Sequence, residues 1–132
     1  MQRLLLPTIG ILAMTLASGC NRAKSPAAVA SDVANAQQNA STEVTDVRTN
    51  AAQDVASVAQ EAGHTSKDLN LAGAKASYDV AIAQADGDHN VAIQKCSALT
   101  GPAQNACKEK ADASYEEATT HANVIRLSKI QQ

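Results

Sequence analysis

Three kinds of side chain in this 132-residue chain could do chemistry: the cysteines Cys20, Cys96 and Cys107, the histidines His64, His89 and His121, and the acids around Asp86. Two cysteines can form a redox centre, share a metal or close a bridge; redox pairs usually have two residues between them, whereas ten separate Cys96 from Cys107. Asp86-Gly87-Asp88-His89-Asn90 opens like a calcium loop. Such a loop needs glycine at its sixth place and an acid at its twelfth, where this chain has Val91 and Ser97, so the stretch reads as a solvated acidic bend. If the second half folds as a hairpin, His89 and His121 stand about two helical turns, or roughly 10 Å, apart, too far to share one metal. His89 then reads as a tolerated polar residue on the helix seam, bonding Ser114 or Tyr115. Ser77 and Ser114 have no histidine and acid arranged around them, Glu116-Glu117 reads as a solvated helix face, and no glycine-rich phosphate loop is present. The reading is of a non-enzyme without metal or cofactor.

The elements that carry these residues must be helices. About a fifth of the chain is alanine, the best helix former, while the only aromatic residues are Tyr78 and Tyr115. Such a chain makes helix easily but has little large apolar volume to pack, so an elongated all-α protein is expected. With 11 basic and 13 acidic residues the charge is close to balanced, which argues against nucleic-acid binding. Ser25 is a good N-cap and Pro26 suits the first helical position, so residues 26–62 are read as the first helix.

Within it an eleven-residue pattern repeats from Val29, Ala40 and Ala51. Valine or alanine recurs at the first, fifth and eighth places, with an acid (Asp32, Glu43, Asp54) before the fifth. Eleven residues in three turns keep a small apolar stripe on one face of a straight or slightly right-handed coiled-coil helix. At 1.5 Å per residue this helix could reach about 55 Å. The stripe could pack on a second copy or on the following helices, the preferred reading, or the segment could be a weakly ordered spacer. Membrane-surface binding is disfavoured, because Arg48 is its only base and no Leu, Ile or aromatic is there to insert.

Gly63-His64 interrupts the stripe, and Thr65-Ser66-Lys67-Asp68 reads as a capping box opening a second helix to about Leu99, weakened at Gly73 and Gly87. Thr100-Gly101-Pro102 stops it and starts a third helix running to about Ile130. Residues 65–130 thus read as an antiparallel helical hairpin with its turn at 100–102. Its seam is read as Tyr78, Ile82, Ala85, His89, Ala92, Cys96 and Leu99 against Cys107, Ala111, Tyr115, Ala118, Ala122 and Ile125. Folding at Gly101 sets Cys96 opposite Cys107, and a bridge there is typically worth about 3 kcal/mol. An internal echo, Ala74-Lys-Ala-Ser-Tyr78 and Ala111-Asp-Ala-Ser-Tyr115, points to duplication or matched packing needs.

The N-terminus supplies the remaining signal. Arg3 precedes an apolar run, Leu4 to Leu16, that is too short for a convincing membrane span and is followed by small residues, as in a secretory signal peptide. Leu16-Ala17-Ser18-Gly19-Cys20 resembles the lipobox of bacterial lipoproteins. The resemblance implies removal of residues 1–19, acyl chains on the thiol and new amine of Cys20, and a polar tether over 20–25. Asn21, not being aspartate, implies sorting to the outer membrane, facing the periplasm. With Cys20 lipidated in an oxidising compartment, Cys96 and Cys107 remain as one disulfide pair.

Lys95-Cys96 through Leu99 and Gly101 to Cys107 resembles a group of small exported alanine-rich proteobacterial proteins, which implies a fold and a compartment. The general plan is also similar to the murein lipoproteins. This chain lacks their leucine-rich heptad seam and ends Lys129-Ile130-Gln131-Gln132 rather than in lysine, so no covalent peptidoglycan link is expected. A structural or protein-interaction role in the envelope is the expectation, with a second copy or another envelope protein as partner. A partner-binding hairpin and a stress-protective, partly disordered helix former are the alternatives.

Overall fold

The computed structural model describes residues 22–61 and 63–131. Three helices account for nearly all of them: α1 (Pro26–Gln60), α2 (Ser66–Cys96) and α3 (Gly101–Ile130). Each start has a local cause. The Ser25 hydroxyl accepts from the Ala28 N–H at 3.3 Å, and Pro26 occupies a first-turn position where its missing N–H costs nothing. Thr65 and Asp68 form the reciprocal capping box that their spacing implies: the Asp68 carboxylate accepts from the Thr65 N–H at 2.7 Å, and the Thr65 hydroxyl from the Asp68 N–H at 3.4 Å. Between helices, Gly63 (φ 107°) and Gly101 (φ 59°) take left-handed conformations that side-chain-bearing residues rarely adopt.

α2 lies between the other two. It packs on α1 along one side and on α3 along the other, and no Cα of α1 comes within 8 Å of a Cα of α3. The eleven-residue stripe is what α1 turns to α2: Val29, Val33, Ala36, Ala40, Val44, Val47, Ala51, Val55 and Val58 are all partly or fully covered, and nearly every residue between them is exposed. The stripe therefore packs on the following helix. Hydroxyls on the outer face of α1 stay inside the helix, Thr42, Thr45 and Thr49 each donating to the carbonyl four residues back.

The buried residues among those described are Ala51, Ala74, Ala83, Ala85, Gly87, Cys96, Ala111 and Ala122. A core of this size permits unusually close helices, and α2 exploits it at Gly87, where an added Cβ would lie 2.5 Å from the Ala40 Cβ. α2 runs unbroken through Gly73 and Gly87, and at Gly87 the missing side chain lets α1 approach. α2 ends at Cys96, three residues short of Leu99, and the Gln104 side chain donates to the Leu99 carbonyl at 2.9 Å, capping the turn. A backbone hydrogen bond from the Lys24 N–H to the Ser97 carbonyl, 2.9 Å, ties the segment before α1 to the same turn.

Candidate functional site

The Cys96–Cys107 disulfide joins α2 to α3 at the turn end of the hairpin, with the two Cα atoms 5.6 Å apart. Pairings then run in opposite directions along the two helices: His89 with Asp112 (2.7 Å), Tyr78 with Arg126, and Ser77 with Lys129 (3.1 Å). Beside the disulfide the two helices line an open, largely apolar cleft of about 360 Å³, with Ala92, Ala111 and the disulfide among its apolar lining and Asp88, His89, Lys95 and Lys110 among its polar lining.

His89 donates its bond to Asp112, not to Ser114 or Tyr115, and its ring tilts against the Tyr115 ring at 5.1 Å between centroids. Aspartate at 112 lies one helical turn before Tyr115, so its carboxylate reaches the imidazole edge while the phenol ring covers its face. The Asp86 carboxylate beside the Tyr115 hydroxyl raises the pKa of that phenol. Ser114 also borders the cleft, but no hydrogen bond joins it to His89 among the described residues. Both walls are helix, so their mid-helix backbone N–H groups are already donated within the ladder and none is left to hold an oxyanion. His121 sits on the exposed side of α3, and no group of three metal-ligating side chains occurs among the described residues.

The seam of α3 differs from the expected one in its second half. Cys107, Ala111, Tyr115 and Ala122 face α2, but Ala118 and Ile125 are exposed while Thr119 and Arg126 are partly covered. At these two positions the covered residue is one further along, and at the second Arg126 lays its guanidinium over the Tyr78 ring, 4.9 Å from the centroid. Leu99, expected at the end of the α2 seam, is 40% exposed because α2 has already ended. Arg126 and Asp112 were not legible as site residues, and Asp86, which the sequence placed in an acidic bend, instead sits in helix beside the Tyr115 hydroxyl. The echo around the two tyrosines did carry a signal: the residue eleven beyond Tyr78 is His89, which covers Tyr115, and the residue eleven beyond Tyr115 is Arg126, which covers Tyr78. The echo is thus a two-fold packing device.

Ala17, Ser18, Gly19, Cys20 and Asn21, with the whole expected signal segment, lie outside the described residues. No helix among the described residues is long and apolar enough to cross a membrane. No protein-family model, curated protein or solved structure matches the chain.

Proposed function

We propose that the protein is a bacterial lipoprotein, held at the periplasmic face of the outer membrane through Cys20, with a structural or protein-interaction role and no catalysis. The observation that carries this reading is the sequence Leu16-Ala17-Ser18-Gly19-Cys20 at the end of a short apolar run, followed by a polar segment that leads straight into a capped helix. The Cys96–Cys107 disulfide supports it, since such bridges persist in oxidising compartments. The test is the mass of the N-terminal peptide after expression in a bacterial host. It is expected to begin at Cys20 and to carry acyl chains, and Cys20→Ser is expected to leave the precursor uncut. A peptide starting elsewhere, or Cys20 bearing a free thiol, overturns the reading.

A binding role for the hairpin is favoured by a separate observation. Leu69, Leu71, Val124, Ile125, Leu127 and Ile130 are all exposed in the parts of α2 and α3 remote from the disulfide. A protein copurifying with the wild type but lost with Val124→Asp and Leu127→Asp would establish that reading, whereas unchanged recovery would exclude this end.

A further inference from the structure

We propose that the disulfide end of the molecule lies against the anionic headgroups of the membrane that holds it, with Leu99 touching the lipid. The proposal rests on the lipid-anchor reading and adds an orientation to it. The chain leaves the described structure at Arg22, and the Lys24–Ser97 backbone bond fixes that exit beside the α2–α3 turn. A lipid on Cys20 can therefore be only a few residues from this turn, so this end is the one that meets the surface.

Its chemistry fits such a surface. Arg22, Lys24, Lys95, Lys108 and Lys110 lie within about three helical turns of Leu99. Of these only Lys24 forms an ion pair among the described residues, with Asp32 at 2.7 Å. At the same level Asp88 and Glu109 oppose them, Asp32 is paired with Lys24 and Asp112 is bonded to His89, which leaves only a small excess of positive charge. α1 and α3 both begin here and α2 ends here, so the positive ends of two helices and the negative end of one share this end of the molecule. The acids Glu43, Asp46, Asp54, Asp86, Glu116 and Glu117 lie farther along the helices. At the tip, Leu99 is an exposed large apolar side chain. Bases around one apolar contact are what an anionic lipid surface attracts. The disulfide behind the turn holds the two helices that carry Lys95, Lys108 and Lys110 together.

The chain has no tryptophan, so Leu99→Trp and Val124→Trp each place one reporter at opposite ends. Both are to be isolated as full-length protein from membranes and reconstituted in vesicles containing phosphatidylglycerol or only phosphatidylcholine, with brominated lipid as quencher. Trp emission at position 99 is expected to shift to the blue and be largely quenched in the anionic vesicles, and to recover at high salt; emission at 124 is expected to stay unquenched. Lys95→Gln, Lys108→Gln and Lys110→Gln together are expected to weaken the contact about a hundredfold, at about fivefold per charge. Quenching at 124 but not at 99, at neither, or equally on neutral vesicles overturns the proposal. The mass of the N-terminal peptide in the same preparation separates the two readings. An unlipidated Cys20 removes the anchor, while quenching on added anionic vesicles still decides whether this end binds lipid.

Discussion

The two faces of α2 are held in opposite ways. Against α3 the contact is made of individual pairings: a disulfide, an imidazole on a carboxylate, an arginine over a tyrosine ring, and a lysine on a serine hydroxyl. Against α1 there is almost nothing of that kind, only a stripe of valine and alanine repeated every eleven residues and a glycine that lets it come close. Specific pairs fix the register of the hairpin, whereas the α1 contact depends on shape summed along a long line. An interface of the second sort opens more easily, because no single strong bond holds it. The comparison predicts that amides of α1 exchange with deuterium faster than those of α2. Equal protection throughout would show that α1 is bound as firmly as the hairpin.

The largest effect expected is on the pinned side. Cys96→Ser or reduction should lower stability by about 3 kcal/mol, the typical contribution of a bridge closing a loop of this length. A chemical-denaturation midpoint measured oxidised and reduced checks this. The loss should fall first on the hairpin, visible as faster exchange in the last turn of α2 and the first turns of α3.

Next comes the smooth side, where one substitution made twice in α2 should have opposite signs. Gly87→Ala puts a Cβ into Ala40 and forces α1 outward, and overpacking of this kind costs about 1–3 kcal/mol, exceeding the gain of about 1 kcal/mol from replacing a helical glycine. At Gly73 a Cβ would meet nothing within 4 Å, so Gly73→Ala should stabilise by about 1 kcal/mol. Thermal unfolding of the two variants decides it. If both stabilise, α1 does not depend on close approach at Gly87.

That contrast also marks what the sequence could reveal. The α1 stripe was legible because valine and alanine recur at fixed places over three repeats, and the eventual covered face follows them residue for residue. The capping box at Thr65 and the turn at Gly101 were legible because their geometry is local. Gly87 was misread as a weak point, since propensity knows nothing of a neighbour at Ala40. Arg126 was missed for a similar reason: a long charged side chain on a mostly exposed helix looks solvated until an aromatic ring is placed under its guanidinium. Which side of α2 would receive α1 was also open, because α2 shows small residues on both.

A smaller effect tests the two-fold clamp. Arg126→Ala should cost about 1 kcal/mol through the lost cation–π contact and stem packing, a loss moderated because the Arg126 Nε is buried without a hydrogen-bond partner. His89→Ala should cost a similar amount at the matching position over Tyr115. If the two clamps act as separate pairs, the double variant should lose the sum of the single losses as measured by denaturation. A clearly smaller loss would mean that they form one unit.

The smallest effect lies at the connection between α1 and α2. The Glu61 side chain accepts from His64 at 2.8 Å and raises its pKa above the ordinary 6.5, with Asp68 adding to the attraction. Hydrogen bonds from Thr65, backbone first, hold Asp68 below its ordinary 3.8. The signs differ. The histidine contribution is present below pH 6.5 and disappears as pH rises through the higher folded value; the aspartate contribution is present above pH 3.8 and disappears as pH falls through the lower folded value. Both operate together only between these limits, in mildly acidic solution. These groups are exposed, so the expected change in stability is slight. The sharper readout is local: exchange at the first amides of α2 should be slowest near pH 5, after correction for intrinsic rates, as an order-of-magnitude placement from the ordinary pKa values. In His64→Gln the rise in opening toward neutral pH should vanish, while the acid-side rise set by Asp68 remains. A wild-type profile that stays flat through neutrality would mean that His64 does not steady the turn that directs α2 back along α1.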